Sequence, residues 1–229
     1  MTKPLIAITG ASSGIGAGIA RLFSEAGYGV AMLSRNKSDM ESLQLPNSIC
    51  LSTDVTDVKS VIEAIQQAEK IFGPVDCLIN NAGLGVGGEF TEVSHEDNEQ
   101  MVKVNLLGIL NCIETVLPSM RARQSGTIIN ISSVADRNAR PLLSTYAATK
   151  AAVKSLSESL RMANARYGIR ICNVAPAKVK TPMLKLAVLN EDNQIIEVDD
   201  IAKAVLWIYQ QPQNICIRDI VVAPTYYES

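Results

Sequence analysis

Short apolar runs rich in β-branched residues alternate with longer segments of helical periodicity along the whole chain. Strands that are apolar along their entire length need cover on both faces, which is typical of a parallel sheet between two layers of helices. The predicted strands are PLIAIT (4–9), YGVAMLS (28–34), SICLSTD (48–54), VDCLINN (75–81), GTIINIS (126–132), GIRICNVA (168–175) and a last strand near ICIRDIVV (215–222).

Five segments between these strands have the spacing of amphipathic helices. They are 14–27, 57–73, about 95–123, the segment that carries Tyr146, and 199–210. No internal repeat or low-complexity linker interrupts the alternation, so we expect residues 1–229 to form a single domain. The order of elements predicts the α/β class: a doubly wound, Rossmann-type parallel sheet of about seven strands with helices on both faces, in a three-layer sandwich.

The composition argues against several classes of function. The 229 residues are 47% hydrophobic and 19% charged, and the net charge is −2. Without a basic patch the chain has no electrostatic footprint for nucleic acid. The first apolar stretch is too short and glycine-rich for an export signal, and no uninterrupted apolar run approaches the ~20 residues of a membrane span. We therefore expect a cytoplasmic protein with no nucleic-acid and no membrane partner.

Residues that commonly bind metals are few and scattered. The single His95 has no ligand-like neighbours in the sequence, so no metal site is expected. The cysteines are odd in number, widely spaced, and lie in apolar runs without a C-x-x-C pair, which predicts reduced core residues. They are Cys50, Cys77, Cys112, Cys172 and Cys216.

A glycine-rich turn, TGASSGIG (9–16), leaves the first strand and opens the first helix. Glycines let the backbone approach a phosphate closely, and a helix N-terminus presents free N–H groups with positive partial charge. The spacing G-x-x-x-G-x-G differs from the commoner G-x-G-x-x-G, but its position after the first strand favours dinucleotide binding. The residues expected at the phosphates are Gly10, Ser12, Ser13, Gly14, Ile15 and Gly16.

The end of the second predicted strand, Ser34-Arg35, indicates which dinucleotide is preferred. An acidic residue at this point would hold the ribose 2′-hydroxyl of NAD, whereas an arginine can bind the 2′-phosphate of NADP with charge-assisted hydrogen bonds. The alternative is that Arg35 is a solvated surface charge. Because the acid is missing and the base is present, we expect NADP(H).

The stretch YAATK (146–150) places a phenol and an ammonium four residues apart on one face of a helix. The simplest interpretation is a solvated pair on an amphipathic surface. The chemical interpretation is that Lys150 lowers the pKa of Tyr146 from its usual value of about 10. A shift of three units requires about 4 kcal/mol, which a cation about 4 Å away supplies at an effective dielectric constant of about 20.

Together these motifs resemble the short-chain dehydrogenase/reductase family. The likeness runs over nearly the whole chain, and it implies an NADP(H)-dependent oxidoreductase acting on CH–OH groups. The cofactor site is then expected in the N-terminal half, and the catalytic and substrate residues in the C-terminal half. The motifs are TGASSGIG (9–16), DVTD (54–57), NNAG (80–83), Asn105 in MVKVNLLG (101–108), NISS (130–133), YAATK (146–150) and NVAPAKVKTPM (173–183).

The resemblance implies roles for single residues. Tyr146 would be the acid/base, and Lys150 would support it and bind the nicotinamide ribose. Ser133 would hold the substrate oxygen, with Ser132 as the alternative, and Asn105 would kink the long helix and hold a water near Lys150. The other implied cofactor contacts are Asp54 and Val55 at the adenine, Asn81, Ala82 and Gly83 beside the adenosine ribose, and Pro176, Val179 and Thr181 near the nicotinamide.

Two features depart from the family pattern. Ala177 stands where relatives usually have glycine; it is tolerated if its φ is negative, but it could crowd the nicotinamide. In addition, only 17 residues separate Thr181 from Asp199 and Asp200, which open the next helix. Many relatives have a longer substrate lid there, so a smaller or more open pocket is expected.

The expected substrate is a small molecule that carries a secondary alcohol or a carbonyl group. The pattern in 199–225 resembles relatives that act on small 3-hydroxy acids or amino alcohols such as serine. A 3-oxoacyl-carrier-protein-type reductase is one alternative, and a catalytically silent NADP-binding sensor is another. Arg137 and Arg140, upstream of Tyr146, are either partners for a substrate carboxylate or solvated loop charges.

Two helices are apolar over more of their surface than a sheet can cover. The segment 101–117 is apolar on more than one face, and alanines line the helix that carries Tyr146. Helices of this kind need cover on both sides, so a homodimer or homotetramer is expected. The alternative is a deeply buried helix within a monomer.

Overall fold

The computed structural model describes residues 4–184 and 195–227. The strands are β1 Leu5–Thr9, β2 Gly29–Ser34, β3 Ser48–Ser52, β4 Val75–Asn80, β5 Gly126–Ile131, β6 Ile169–Pro176 and β7 Asp219–Val222. They form one sheet in the order β3–β2–β1–β4–β5–β6–β7, and every neighbouring pair is parallel. This confirms the doubly wound Rossmann-type α/β fold.

Helices cover both faces of this sheet. They are α1 Gly14–Glu25, α2 Lys37–Ser42, α3 Val58–Phe72, α4 His95–Val102, α5 Gly108–Arg123, α6 Ser144–Asn164 and α7 Val198–Gln210. The core is divided into two clusters, one under α3, α5 and α6 and the other under α1 and α7. The apolar strands contribute side chains to both clusters, which is why their sequences show no alternation.

Most predicted elements begin and end within two residues of the observed ones. The short helix α2 was not predicted, because only Met40 of its six residues is buried and the segment shows no apolar period. The last strand is shorter than expected and begins at Asp219, since it lies at the edge of the sheet and pairs only with β6.

The predicted long helix at 95–123 is continuous but not uniform. A π-helical turn, Lys103–Leu107, separates α4 from α5, and the buried Asn105 lies at its centre. The Asn105 side chain accepts a hydrogen bond from Leu84 N (2.7 Å) and donates to Leu84 O (2.9 Å) and Thr149 Oγ1 (3.0 Å). An interrupted helical ladder of this kind frequently marks a functional site.

Among the described residues, the stretch 95–123 is also long and apolar enough to cross a membrane, judged by length and composition alone. The expectation that no membrane span is present rested on the lack of an apolar run of ~20 residues, and it overlooked this stretch. Half of its most apolar 18-residue stretch is buried inside the fold. Core helices of soluble proteins can be equally long and apolar. Here Ile109, Ile113 and Val116 pack in the core cluster under α3, α5 and α6.

The expectation that all five cysteines are core residues is only partly correct. Cys77, Cys112 and Cys172 are buried, whereas Cys50 and Cys216 are partly exposed. Both exceptions lie at sheet edges, Cys50 on β3 and Cys216 just before β7, where an apolar run is covered on fewer sides. Burial raises the pKa of Cys112 to about 12, so its thiol is unreactive.

Candidate active site

A cleft of ≈ 540 Å³ opens at the carboxyl ends of the strands, where the strand order reverses between β1 and β4. Ligands of open α/β sheets bind in this crevice. Most of the site residues predicted from the sequence line this cleft. They are Gly10, Ser12, Ser13, Gly14, Ile15, Ser34, Arg35, Asp54, Val55, Asn81, Ala82, Gly83, Tyr146, Lys150 and Thr181.

Three predicted cofactor contacts do not line the cleft. Gly16 packs against Gly10 O and the Asn81 side chain, Pro176 is buried at the end of β6, and Val179 is 6% exposed and bridges to Ile196. Three apolar lining residues were not singled out as site residues from the sequence. Val104 and Met183 lie inside the quoted motifs at 101–108 and 173–183, and Leu84 directly follows NNAG (80–83).

The glycine turn is shaped to keep side chains out of the cleft floor. Gly10 has φ +64°, and a β-carbon there would lie 2.8 Å from Ala82 Cα. At Gly16 a β-carbon would lie 2.3 Å from Gly10 O and 2.5 Å from Asn81 Nδ2. The first helix therefore approaches the turn more closely than any side chain allows, and its N-terminus faces the cleft.

The N-terminus of α1 has no side-chain cap. Ser13, its N-cap residue, is extended and makes no capping hydrogen bond, and no acidic residue lies in the first turn. Unsatisfied backbone N–H groups and the helix dipole attract an anion at this position. The turn therefore fits a phosphate group of a dinucleotide.

The turn after β4 braces the glycine turn. The hydroxyl of Thr9 accepts hydrogen bonds from Asn81 N and Ala82 N, both at 3.0 Å. In return, Asn81 Nδ2 donates to Thr9 O (3.1 Å) and Gly10 O (3.2 Å). These four bonds join the two loops that form the cleft floor.

At the far end of the cleft, the Arg35 side chain is exposed and forms no ion pair with the described acidic residues. Ser34 Oγ beside it donates to Ser12 Oγ (2.9 Å), which ties the end of β2 to the glycine turn. A guanidinium that is unpaired among the described residues and lies next to the phosphate turn fits a second phosphate group.

At the opposite end of the cleft lie Tyr146 and Lys150, one turn apart on α6. Lys150 is buried, its Nζ lies 5.6 Å from the centroid of the Tyr146 ring, and it donates to Ile131 O (3.0 Å). Ser133 shares a side-chain hydrogen bond with Tyr146. Ser132 borders the cleft, but its hydroxyl donates to Lys150 O (3.3 Å) and so stabilises α6 instead.

The pKa of Tyr146 departs from the expectation. Burial raises the pKa of Tyr146, the hydrogen bond to Ser133 lowers it, Asp136 raises it, and the net direction is upward. Lys150 is desolvated as well: burial lowers its pKa from 10.5 to about 8, against an opposing effect of Asp136. In the protein alone, burial therefore keeps the phenol protonated.

Lys150 and Asn105 approach each other across a glycine. A β-carbon at Gly83 would lie 3.5 Å from Asn105 Oδ1 and 3.6 Å from Lys150 Nζ. The missing side chain leaves a small polar space between the carbonyl oxygen and the ammonium. A water needs two to four polar partners, and this space offers at least two.

The two arginines upstream of Tyr146 do not line the cleft. Arg137 donates to Asp136 (2.6 Å) and Asp219 (2.9 Å). Arg140 donates to Tyr227 Oη (2.9 Å) and lies over the ring of the same tyrosine. The sequence had suggested either partners for a substrate carboxylate or solvated loop charges. In the structure both arginines instead bind side chains of the protein itself.

Ala177 fits its position. It is not among the residues with positive φ, and its N–H donates to Val222 O (2.9 Å) in the pairing between β6 and β7. The loop that was expected to form a shortened lid lies mostly at 185–194, outside the described residues.

The desolvation of Lys150 predicts a pH-dependent gain in stability for Lys150→Met. Below pH 8 the native state holds a buried ammonium that costs about 3 kcal/mol relative to the unfolded chain, at 1.36 kcal/mol per pKa unit. As pH rises from about 8 towards 10.5, only the unfolded state still binds the proton, so the wild type becomes more stable.

The free energy of unfolding of Lys150→Met relative to wild type should therefore fall by about 2 kcal/mol between pH 7 and pH 9.5. Urea unfolding of both proteins at the two pH values measures this difference directly. A difference that stays constant or grows with pH contradicts the desolvated state of Lys150.

Comparison with known proteins gives consistent matches. A family model described as short chain dehydrogenase matches residues 4–192. An uncharacterized oxidoreductase of Staphylococcus aureus (strain MW2) is 32% identical over 228 residues, which cover 98% of each chain.

Two solved structures are similar over nearly their whole length. An alcohol dehydrogenase from the archaeon Thermococcus sibiricus, complexed with 5-hydroxy-NADP, has a TM-score of 0.90 at 26% identity and 99% coverage of both chains. The closed form of a serine dehydrogenase complexed with NADP+ has a TM-score of 0.94 at 27% identity, with 98% of this chain and 96% of that chain covered.

Proposed function

Because the chain belongs to the short chain dehydrogenase family, we propose that it interconverts a secondary alcohol and a carbonyl group on a small substrate, using NADP(H). The family match confirms the resemblance seen in the sequence. The chain is an oxidoreductase that acts on CH–OH groups. The observation that carries the finer proposal is the pair Tyr146 and Lys150 at one end of a cleft whose other end is the glycine turn, with Ser133 beside Tyr146.

The nicotinamide cofactor, when bound, supplies the hydride to the carbonyl carbon or accepts it from the alcohol. Tyr146 donates its hydroxyl proton to the substrate oxygen during reduction, and its raised pKa keeps that proton in place at neutral pH. Ser133 orients the same oxygen through its hydroxyl. Lys150 returns a proton to Tyr146 from a water in the space between Asn105 Oδ1 and Lys150 Nζ.

The preference for NADP(H) is supported by Arg35, whose guanidinium is not paired with a described acidic side chain. Both similar solved structures contain NADP or an NADP derivative. The phosphate-binding residues of the proposal are those of the glycine turn, with Ser34 and Arg35 at the 2′-phosphate and Asp54 and Val55 at the adenine.

Replacing Arg35 with serine should lower kcat/KM for NADPH about 10- to 100-fold, because a charge-assisted hydrogen bond to phosphate is lost. The value for NADH should change less than about threefold, since NADH has no 2′-phosphate. Steady-state kinetics with both cofactors measure the two effects. Lys70→Ser, on the exposed C-terminal turn of α3 near the amino end of β2, makes the same change in net charge and should alter neither value.

If wild-type kcat/KM for NADH equals or exceeds the value for NADPH, the assignment of Arg35 is wrong. The reaction itself is tested by the loss of NADPH absorbance with a panel of small ketones, aldehydes and 3-oxo acids. Tight NADPH binding without turnover of any substrate would favour a sensor over an enzyme.

We also propose that the protein forms a homodimer or homotetramer. Val102 and Leu107 on the long helix are 45% and 43% exposed, and Met162 on α6 is 67% exposed. A second copy packed on these helices would remove them from water. Light scattering after size exclusion should give a mass of two or four chains of 24.6 kDa, and a single-chain mass contradicts the assembly.

A further inference from the structure

Ser133 opens a 3₁₀ turn, Val134–Asp136, whose last residue is a buried acid. Ser133 Oγ accepts a hydrogen bond from Ala135 N (3.2 Å), and Ser133 O accepts one from Asp136 N (2.9 Å). The Asp136 side chain is 0% exposed. The turn packs on α6, the helix that carries Tyr146. The direction of the Ser133 hydroxyl therefore depends on the position of this turn.

The Asp136 carboxylate joins the turn to the sheet. Its Oδ2 accepts from Asn173 Nδ2 on β6 (2.9 Å), and its Oδ1 accepts from Arg137 Nε (2.6 Å). Asn173 and Arg137 also both donate to Asp219 Oδ1 at the start of β7, each at 2.9 Å. The four side chains form a closed ring of hydrogen bonds, and charge-assisted bonds of this kind stabilise a buried carboxylate. The turn that carries Ser133 is thus held by β6 and β7.

The same carboxylate acts on both members of the acid/base pair, Tyr146 and Lys150. Burial has the largest effect on the pKa of each group: it raises that of Tyr146 and lowers that of Lys150 to about 8. The hydrogen bond to Ser133 lowers the pKa of Tyr146, and the charge of Asp136 raises both pKa values. A negative charge at this place therefore favours the protonated form of both groups.

The other charges of the cluster are more exposed. The side chains of Arg137, Asp219 and Lys154 are 25%, 36% and 37% exposed, and Lys154 Nζ on α6 lies 3.9 Å from Asp219 Oδ2. The contact from β6 is the neutral amide of Asn173. Water and salt screen the outer charges, whereas the charge of Asp136 is screened much less.

We propose that Asp136 is a positioning residue for the reaction: it holds the Ser133 turn against β6 and, by its charge, keeps the protons of the acid/base pair in place. This inference rests on the proposed oxidoreductase function and adds a residue to its site. During reduction Tyr146 must hold its proton until the substrate oxygen takes it, and Lys150 must hold the proton that replaces it. A neutral side chain at position 136 weakens the hold on both protons.

The first test follows the titration of Lys150 in the protein without cofactor, by carbon-13 NMR of the lysine Cε atoms with Lys150→Met for assignment. The wild-type midpoint should lie at about pH 8. In Asp136→Asn, which keeps the shape of the side chain and removes its charge, the midpoint should fall by at least about 0.5 pH unit. Arg137→Gln removes a positive charge from the same ion pair and should move the midpoint upward. A merely structural effect of breaking this ion pair would shift both variants in the same direction.

The matched control is Glu158→Gln, which removes one negative charge as Asp136→Asn does. Glu158 is exposed on α6, pairs with Arg161, and lies about two turns, or about 12 Å, beyond Lys150. Its replacement should leave the midpoint of Lys150 unchanged. A midpoint that stays unchanged or moves the other way in Asp136→Asn or Arg137→Gln overturns the proposal. If Asp136→Asn does not fold, the rise expected in Arg137→Gln decides alone.

The second test measures kcat/KM for reduction against pH, with NADPH and the carbonyl compound of the panel that the wild type reduces fastest. The value should fall as pH rises through the pKa values of the acid/base pair, because the protons needed for reduction are then lost. This alkaline limb should lie at lower pH in Asp136→Asn and at higher pH in Arg137→Gln, with the wild type between them. The same limb in all three proteins contradicts the proposal.

Asp136→Ala tests the hold on the Ser133 turn. This variant loses every side-chain hydrogen bond at position 136, whereas the amide oxygen of Asp136→Asn can still accept from Asn173. Its kcat/KM should therefore be at least about fivefold below that of Asp136→Asn at every pH. Equal values in the two variants would show that the side chain does not position Ser133.

These readouts distinguish failure of the inference from failure of the proposed function. If no carbonyl compound oxidises NADPH, the function is wrong, while the titration of Lys150 still reports on the charge of Asp136. If reduction proceeds but neither the titration nor the alkaline limb responds, the function stands and the role of Asp136 is wrong.

Discussion

Replacing Tyr146 with phenylalanine should lower kcat/KM for carbonyl reduction by about 10³-fold, because the group that donates a proton to the substrate oxygen is removed. The ring, its packing on α6 and its position 5.6 Å from Lys150 Nζ are retained. NADPH affinity should fall less than about tenfold, since only one hydroxyl contact is lost. Single-turnover oxidation of NADPH measures the first effect, and calorimetric titration with NADPH measures the second.

The matched control is Tyr167→Phe. Tyr167 lies just beyond the far end of α6, where its ring contacts Arg121 and Arg166, and it should tolerate loss of its hydroxyl with unchanged turnover. If Tyr146→Phe reduces a substrate at the wild-type rate, the proposed proton donor is wrong. If it loses NADPH binding as well, the tyrosine acts mainly through the cofactor.

Replacing Gly16 with alanine should have the second large effect. The new β-carbon would lie 2.3 Å from Gly10 O, a backbone atom of the glycine turn, and 2.5 Å from the Asn81 amide that braces it. The helix and the turn must separate, at a cost in stability of about 1–3 kcal/mol, the usual range for overpacking. Because the displaced N–H groups are those proposed to bind phosphate, NADPH affinity should fall at least about tenfold.

Gly18→Ala on the same helix separates packing from binding. A β-carbon at Gly18 would lie 2.2 Å from Val198 Cγ1, a side-chain atom on α7, away from the cleft. This variant should also lower the urea midpoint but leave NADPH affinity within about twofold. Equal losses of affinity in both variants would show that Gly16 has no special relation to the phosphate turn.

The fold could be predicted from the sequence because parallel sheets covered on both faces require continuous apolar strands. β1, β4 and β5 each follow this rule, and their predicted ends were correct to within one residue. The helix α2 escaped prediction, since it is held by the Asn36 cap and one buried methionine rather than by an apolar period.

The substrate end of the site could not be predicted in the same way. Gly85 and Met183 come close to Tyr146 only because the segments after β4 and β6 and the start of α6 lie at the same edge of the sheet. The ion pairs of Arg137 likewise join Asp136 to Asp219, 83 positions further along the chain. No local pattern encodes contacts over such separations.

The sequence by itself determined the class of fold, the phosphate turn, and the candidate Tyr146–Lys150 pair, because each depends on neighbours a few residues apart. Only the tertiary structure decided the protonation of that pair and the ion-pair partners of Arg137. Burial raises the pKa of Tyr146 and lowers that of Lys150 to about 8, and partner choice leaves Arg137 with two carboxylates. Desolvation and pairing depend on what surrounds a side chain in space, which the order of residues along the chain does not specify.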